Sequence, residues 1–196
     1  MDAENGVLSL ADKTGTINLI KGMTAPTFDT NKINFPDTGT LYSDTPSAVL
    51  IPTVDFHGFY IFRNIDATNQ DFINNRVDSN SRFAIAYKNG NLAVGYYDGG
   101  FTSKSASLAD TESFHKLEFK NVEGVITAFL DGVEMTGSQN PYTGIEARFI
   151  IGGAYSTQFP QNCKPQDFGT FFVKSGEMTA QERTDMLAFI NQKFAL

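Results

Sequence analysis

Asn89-Gly90 stands between two runs that alternate apolar and polar residues. Phe83, Ile85 and Tyr87 alternate with Arg82, Ala84, Ala86 and Lys88 before it; Leu92, Val94 and Tyr96 follow it. Both central residues of a type I′ turn need positive φ, which Asn and Gly tolerate, so this pattern predicts a two-residue antiparallel hairpin. The closing third of the chain extends the theme. Leu117 and Phe119 alternate with Lys116, Glu118 and Lys120, and residues 121–124 turn the chain. Residues 125–130 are apolar on both faces and read as a central strand, Asp131-Gly132 makes the next turn, and strands follow at 146–151 and 168–173. One helix ends the chain, at about 179–193. Thr179 is its N-cap, and Glu182 three residues later completes a capping box. Ala180, Arg183, Leu187, Ile190 and Phe194 recur at helical spacing, and the face is apolar from Leu187 onward. The helix is therefore expected to dock by its C-terminal half. This order of elements describes an all-β, two-sheet antiparallel β-sandwich with one C-terminal helix.

The first half carries weaker signals. Short apolar segments at 7–10 and 16–20 flank a turn at Lys13-Thr14-Gly15, and residues 28–35, bounded by Pro26 and Pro36, read as one strand. Residues 47–51 and 56–62 are apolar on both faces, as strands inside a sandwich are. Residues 64–80 read as a polar loop holding a strand near 72–77, and 103–110 as a loop of small residues. A chain of 196 residues forms one domain over 1–196, long enough to bury a core without disulfides or metals. Eighteen phenylalanines suit half-buried pleated surfaces.

Charge and composition exclude several roles. With a net charge of −7 and no basic patch along the sequence, binding to nucleic acid or to anionic membranes is not expected. No window approaches the ~20 apolar residues of a membrane-spanning helix. The single cysteine, Cys163, leaves no intrachain disulfide. The first residues, Met1-Asp2-Ala3-Glu4-Asn5-Gly6, do not form a secretory signal as they stand.

Six short motifs in order point to a family. Asp12-Lys13-Thr14-Gly15, Tyr87-Lys88-Asn89-Gly90, Phe114-His115, Phe129-Leu130-Asp131-Gly132, Ile151-Gly152-Gly153 with Asp167-Phe168-Gly169, and Met178-Thr179-Ala180-Gln181-Glu182-Arg183 span nearly the whole chain. Together the chain resembles the concanavalin A-like lectin/glucanase superfamily in its laminin-G-like branch, with Phe where that branch carries Trp or Tyr. The resemblance implies a jelly roll of two stacked antiparallel sheets. Its members are often glycan-binding or adhesive modules, many of them in bacterial surface proteins and phage virions.

Catalytic signatures are missing from the sequence. Glycan hydrolysis on this fold needs two carboxylates at alternate strand positions. None of Glu112, Glu118, Glu123, Glu134, Glu146, Glu177 and Glu182 begins such a pattern. His57 and His115, the only histidines, cannot build a multi-histidine zinc site. His115 shares parity with Leu117 and Phe119 and is expected to face the core. His57 reads as a partly exposed strand-end residue. Cys163 has no adjacent base and reads as an incidental loop thiol. Calcium is the one ion whose hard oxygen ligands are at hand, on the loop carboxylates Asp66, Asp71 and Asp78.

Sugar recognition needs aromatic platforms beside polar groups. Tyr97, Asp98 and Phe101 in one turn, and Tyr155, Gln158 and Phe159 in a later loop, are the candidate ligand-binding residues. The expected function is non-catalytic recognition of a glycan or host-surface polymer. The expected setting is a phage virion (fibre, tail or capsid decoration), or otherwise a larger extracellular surface protein. Self-association or contact with other virion proteins is expected there. The alternatives are a structural, oligomerising module without ligand, and a glycan-active enzyme.

Overall fold

The computed structural model describes residues 10–11, 18–21, 27–29, 32–37, 39–43, 55–63, 66–76, 81–98, 101–138, 141, 148–153 and 164–196. Among them, the strands in chain order are β1 (Leu10–Ala11), β2 (Asn18–Lys21), β3 (Thr27–Asp29), β4 (Lys32–Phe35), β5 (Leu41–Ser43), β6 (Phe56–Arg63), β7 (Gln70–Arg76) and β8 (Ser81–Lys88). They continue with β9 (Asn91–Asp98), β10 (Phe101–Ser107), β11 (His115–Val122), β12 (Val125–Leu130), β13 (Val133–Glu134), β14 (Arg148–Ile151) and β15 (Gln166–Ser175), before helix α1 (Ala180–Phe194). They form two antiparallel sheets. One has the order β1-β2-β5-β14-β7-β8-β9-β10 and the other β13-β12-β11-β6-β15-β4-β3. The β-sandwich with a C-terminal helix is the observed fold.

The core lies between the sheets. Phe56, Tyr60 and Phe62 of β6 meet Phe72 and Ile73 of β7, Phe83 and Ile85 of β8, and Val94 of β9. Tyr60 and Phe62 stack at 5.0 Å, while Phe56 meets Phe83 edge-on at 6.0 Å. Strand β6 is buried from Phe56 to Phe62 because it is central and covered twice. Its alternate residues Phe59 and Ile61 leave the sandwich core and pack with Met178 and Ile190, so α1 roofs the outer face of the seven-stranded sheet.

Tight turns hold these strands in register. Asn89 and Gly90 have φ of 51° and 82°, and Asp131 and Gly132 have 51° and 87°, the left-handed pairs a type I′ turn demands. The helix begins as expected. Thr179 accepts from the Glu182 N–H while the Glu182 carboxylate accepts from the Thr179 N–H. Ile190 is its buried anchor, with Met186, Leu187 and Phe194 half-buried beside it.

Several sequence expectations are corrected. Residues 28–35 form two paired strands, β3 and β4, with Phe28 opposite Ile33. Of the loop expected at 103–110, residues 103–107 lie in β10, which pairs with β9 along its whole length. As an edge strand it needs no alternating apolar pattern. Strand β12 is not central, because only the two-residue β13 lies outside it. The expected strand at 47–51 lies outside the described residues.

Gly58 tests the packing of β6. A Cβ there would come within 2.7 Å of both Phe119 Cζ and the Phe172 carbonyl oxygen. That oxygen belongs to the strand paired with β6, so it cannot retreat without disturbing the ladder. Gly58→Ala is expected to lower stability by about 2 kcal/mol. An unchanged urea midpoint would refute this packing.

Candidate functional site

Three braces of ionisable groups tie the described strands of the seven-stranded sheet to one another and to α1. Asp167, with no side-chain exposure, accepts from Lys32 Nζ at 2.9 Å, Asn34 Nδ2 at 2.8 Å and Arg63 Nε at 2.8 Å, and Arg63 Nη2 also contacts it. Burial pushes its carboxyl up, but the hydrogen bonds from Asn34 and Lys32 and the charge of Arg63 outweigh this and hold it below its ordinary value. Glu118, on the outer face beneath α1, accepts from Arg183 Nε at 2.6 Å and Nη2 at 2.7 Å. His57 Nε2 lies 2.9 Å from the same carboxylate. Burial again pushes up, and the bonds from His57 and Arg183 prevail, leaving Glu118 at about 2.

His57 is thus buried, not a partly exposed strand end. The Met178 N–H donates to its Nδ1 at 3.3 Å, so the ring proton sits on Nε2 and points at Glu118. The sequence hid this because the partner elements, β11 and α1, lie 61 and 121 residues away. His115 faces inward as expected. It bonds Asp131 at 2.8 Å and the Asp110 carbonyl at 3.0 Å. The Asp131 bond raises its pKa, against the opposing effect of burial. Each of these groups tethers strand to strand or strand to helix, and none forms a carboxylate pair around an open cleft.

The expected calcium set does not assemble from the described residues. Asp66 is half-buried, and its Oδ1 accepts from the Thr68 N–H at 2.8 Å, a local turn cap. Asp71 is no loop carboxylate: it lies in β7 opposite Ala86, buried. Asp78 lies outside the described residues. Among those described, no group of three or more His, Cys, Asp and Glu could hold a metal ion.

Of the expected ligand-binding residues, Tyr155, Gln158 and Phe159 lie outside the described residues. Register brings Tyr97 and Phe101 together as cross-strand partners on β9 and β10. Asp98, one residue on, pairs with Ser81 of β8.

That pairing leads to the outer face of the eight-stranded sheet. Ile73, Phe83, Ile85, Leu92 and Val94 belong to the sandwich core, so beyond the β7 irregularity between Asp71 and Ile73 the neighbours of opposite parity belong to the outer face, where Asn74, Ala84, Ala86 and Ala93 are all buried. One row across that face runs Arg148, Arg76, Arg82, Tyr97, Phe101, each paired with the next. The adjacent row runs Ile150, Asn74, Ala84, Gly95, Ser103. Asn74 is fully buried there, and neither its Oδ1 nor its Nδ2 has a hydrogen-bond partner. Sequence reasoning assigned Arg82 to the polar side of its strand. It could not align Arg82 with Arg76 and Arg148, because pairing across strands is not written in local alternation.

A second surface feature lies at the sheet–helix seam. An open groove of about 330 Å³ is lined by Phe172, Lys174, Met178, Glu182, Met186 and Phe189, among others. Lys174 bridges it to Glu182 at 2.6 Å, and Phe189 is exposed.

No family model matches this chain, and no curated protein does. Solved structures match in fold. The botulinum neurotoxin serotype D binding domain aligns with a TM-score of 0.72 at 12% identity, over 96% of this chain and 50% of that one. The type G receptor-binding domain gives 0.65 at 11%, over 95% and 51%. A neurotoxin type C structure, from a toxin whose cell entry depends on two ganglioside molecules, gives 0.68 at 10%, over 94% and 51%. The chain spans about half the length of the toxin chains it matches. At these identities the likeness is one of fold.

Proposed function

We propose that this chain is a non-catalytic recognition module that binds a glycan or a glycan-bearing polymer on a cell surface. It acts as one domain over residues 1–196. The observation that carries this reading is the division of labour between the sheets. In the seven-stranded sheet, Asp167, Glu118 and His115 are committed to braces between elements. The other sheet sets Tyr97 and Phe101 beside arginines in one row. Aromatic faces beside planar cations suit a sugar's apolar ring face and its polar rim. Further support comes from the neighbours, which are receptor-binding domains, one from a toxin dependent on gangliosides. That property belongs to the whole toxin, of which this chain matches half of one domain.

The resemblance to concanavalin A-like, laminin-G-like modules is part of the same proposal, and so is its setting, a phage virion or a larger surface protein. An array of neutral and acidic cell-surface glycans tests the binding, with retention expected on a subset. Retention on none would sink the reading. Mass spectrometry of purified virions that finds no such chain would remove the virion setting.

A second reading, an oligomerising module without ligand, draws on the apolar groove between β15 and α1. Sedimentation showing a stable oligomer, with no glycan retained, would favour it over the first.

A further inference from the structure

We infer that the groove between β15 and α1 is a two-fold interface, and that its occupant is the α1 of a second copy of this chain, laid antiparallel. This rests on the second reading above and names the partner and its orientation; glycan binding is independent of it. Asp185, Phe189 and Lys193 recur at i, i+4 and i+8, so they form one stripe about 12 Å long on the helix. Ile190, the buried anchor, and Arg183, bonded to Glu118, mark the side that faces the sheet. Asp185 and Phe189 line the groove together with Phe172, Met178 and Met186. Among the described residues the exposed large apolar side chains are Val125, Val133, Phe189 and Leu196. Of these, Phe189 lines the groove.

A phenylalanine 43% exposed beside an open apolar groove calls for a surface that covers both. The charges identify that surface. Asp185 stands four residues before Phe189 and Lys193 four after it, so the stripe reads acid, aromatic, base along the helix. A second α1, antiparallel about a two-fold axis at Phe189, sets Asp185 against the partner's Lys193 and Lys193 against the partner's Asp185. A parallel copy in the same register would set acid on acid and base on base. Antiparallel helix dipoles favour the same arrangement. Such self-complementarity is what an isologous contact between identical copies requires. Asp185 is exposed and accepts from Gln181 Nε2 of its own helix at 2.8 Å. The Lys193 ammonium lies 5.7 Å from the Phe189 ring centre. The competing account is therefore intrachain: Lys193 covers Phe189 within one copy, and the stripe needs no partner. The contact is small against the ~800 Å² per partner of a stable interface, so a reversible dimer is expected, with a dissociation constant of about 10–100 µM.

Sedimentation equilibrium of the whole chain tests this, in about 0.15 M salt, where charges more than ~8 Å apart are screened and the net charge of −7 does not hold copies apart. The average mass is expected to rise from one chain toward two over about 5–500 µM. Asp185→Lys alone and Lys193→Asp alone each set like charges face to face twice, and each is expected to weaken pairing about tenfold. Mixing these two single variants is expected to restore pairing as a heterodimer, because every charge then meets its opposite. Phe189→Gln is expected to abolish pairing with little change in urea midpoint, since the ring is exposed in a single copy. A dimer that none of these variants weakens would overturn the antiparallel pairing and leave the oligomerising reading to another face. Weakening without recovery on mixing would overturn it as well. A chain that stays monomeric throughout the range would overturn both this inference and that reading, and would leave the intrachain cover of Phe189 by Lys193 as the account of the stripe.

Discussion

Replacing Phe119 by alanine is expected to cost about 4 kcal/mol of folding free energy. Phe119 is fully buried where the two sheets meet. Its ring centroid lies 6.1 Å from Phe56, 5.9 Å from Phe83 and 6.1 Å from Phe171, so it touches both sheets at once. Removing it takes away the transfer free energy of a whole ring. It also opens a cavity that neighbours held in two hydrogen-bonded sheets cannot refill. Urea unfolding would show a large drop in midpoint with little change in slope. Phe119→Leu, which keeps most of the volume, is expected to recover more than half of the loss. A Phe119→Ala midpoint within experimental scatter of the parent would mean that the two sheets do not pack as described.

The second large effect is electrostatic and depends on pH. Asp167→Ala is expected to cost about 3 kcal/mol at pH 7, because it removes the shared partner of Arg63 and Lys32 from a fully buried position. Both cations keep partial access to water, which limits the loss. The Asp167 carboxyl lies below its ordinary value in the folded state. Its contribution is therefore complete above the unfolded value of about 3.9 and is lost as pH falls through the folded one. The gap between parent and Asp167→Ala should close below about pH 4. A gap that stays constant down to pH 2 would contradict the ion-paired geometry. Glu118, held at about 2, steepens the parent's acid limb in the same sense. His115 acts oppositely. Its pKa is raised, so its bond to Asp131 stabilises fully below about pH 6.5 and fades as pH climbs through the raised value.

What the sequence made legible was local. The hairpin at Asn89-Gly90, the turn at Asp131-Gly132 and the Thr179–Glu182 capping box depend on residues within a few positions of one another, and all three are present. Where neighbours in space are remote in sequence, the reading failed for stated reasons. The serines of β10 lack an apolar rhythm because an edge strand has only one paired flank. The apolar run in β12 suggested a centre, yet Val125 at its start is exposed and the strand lies next to an edge. Glu118 looked like an outward polar residue until α1 proved to cover it. The candidate face follows the same rule. Tyr97 and Phe101 were found because they flank one turn. Arg76 and Arg82 flank one connection, but Arg148 lies far beyond them in sequence and joins their row only through register.

The position of β6 also fixes the order in which the molecule can be completed. Its two ladder partners are β11, beginning at His115, and β15, ending at Ser175. During synthesis, a strand apolar on both faces must therefore persist with one hydrogen-bonding edge vacant until residues 166–175 have emerged. The hairpins β8–β9 and β11–β12 close over a few residues and can form early, but joining β6 to β15 closes a loop of about a hundred residues and is the slow step by topology. The same arrangement that buries β6 most deeply at the end leaves it the most aggregation-exposed segment on the way there.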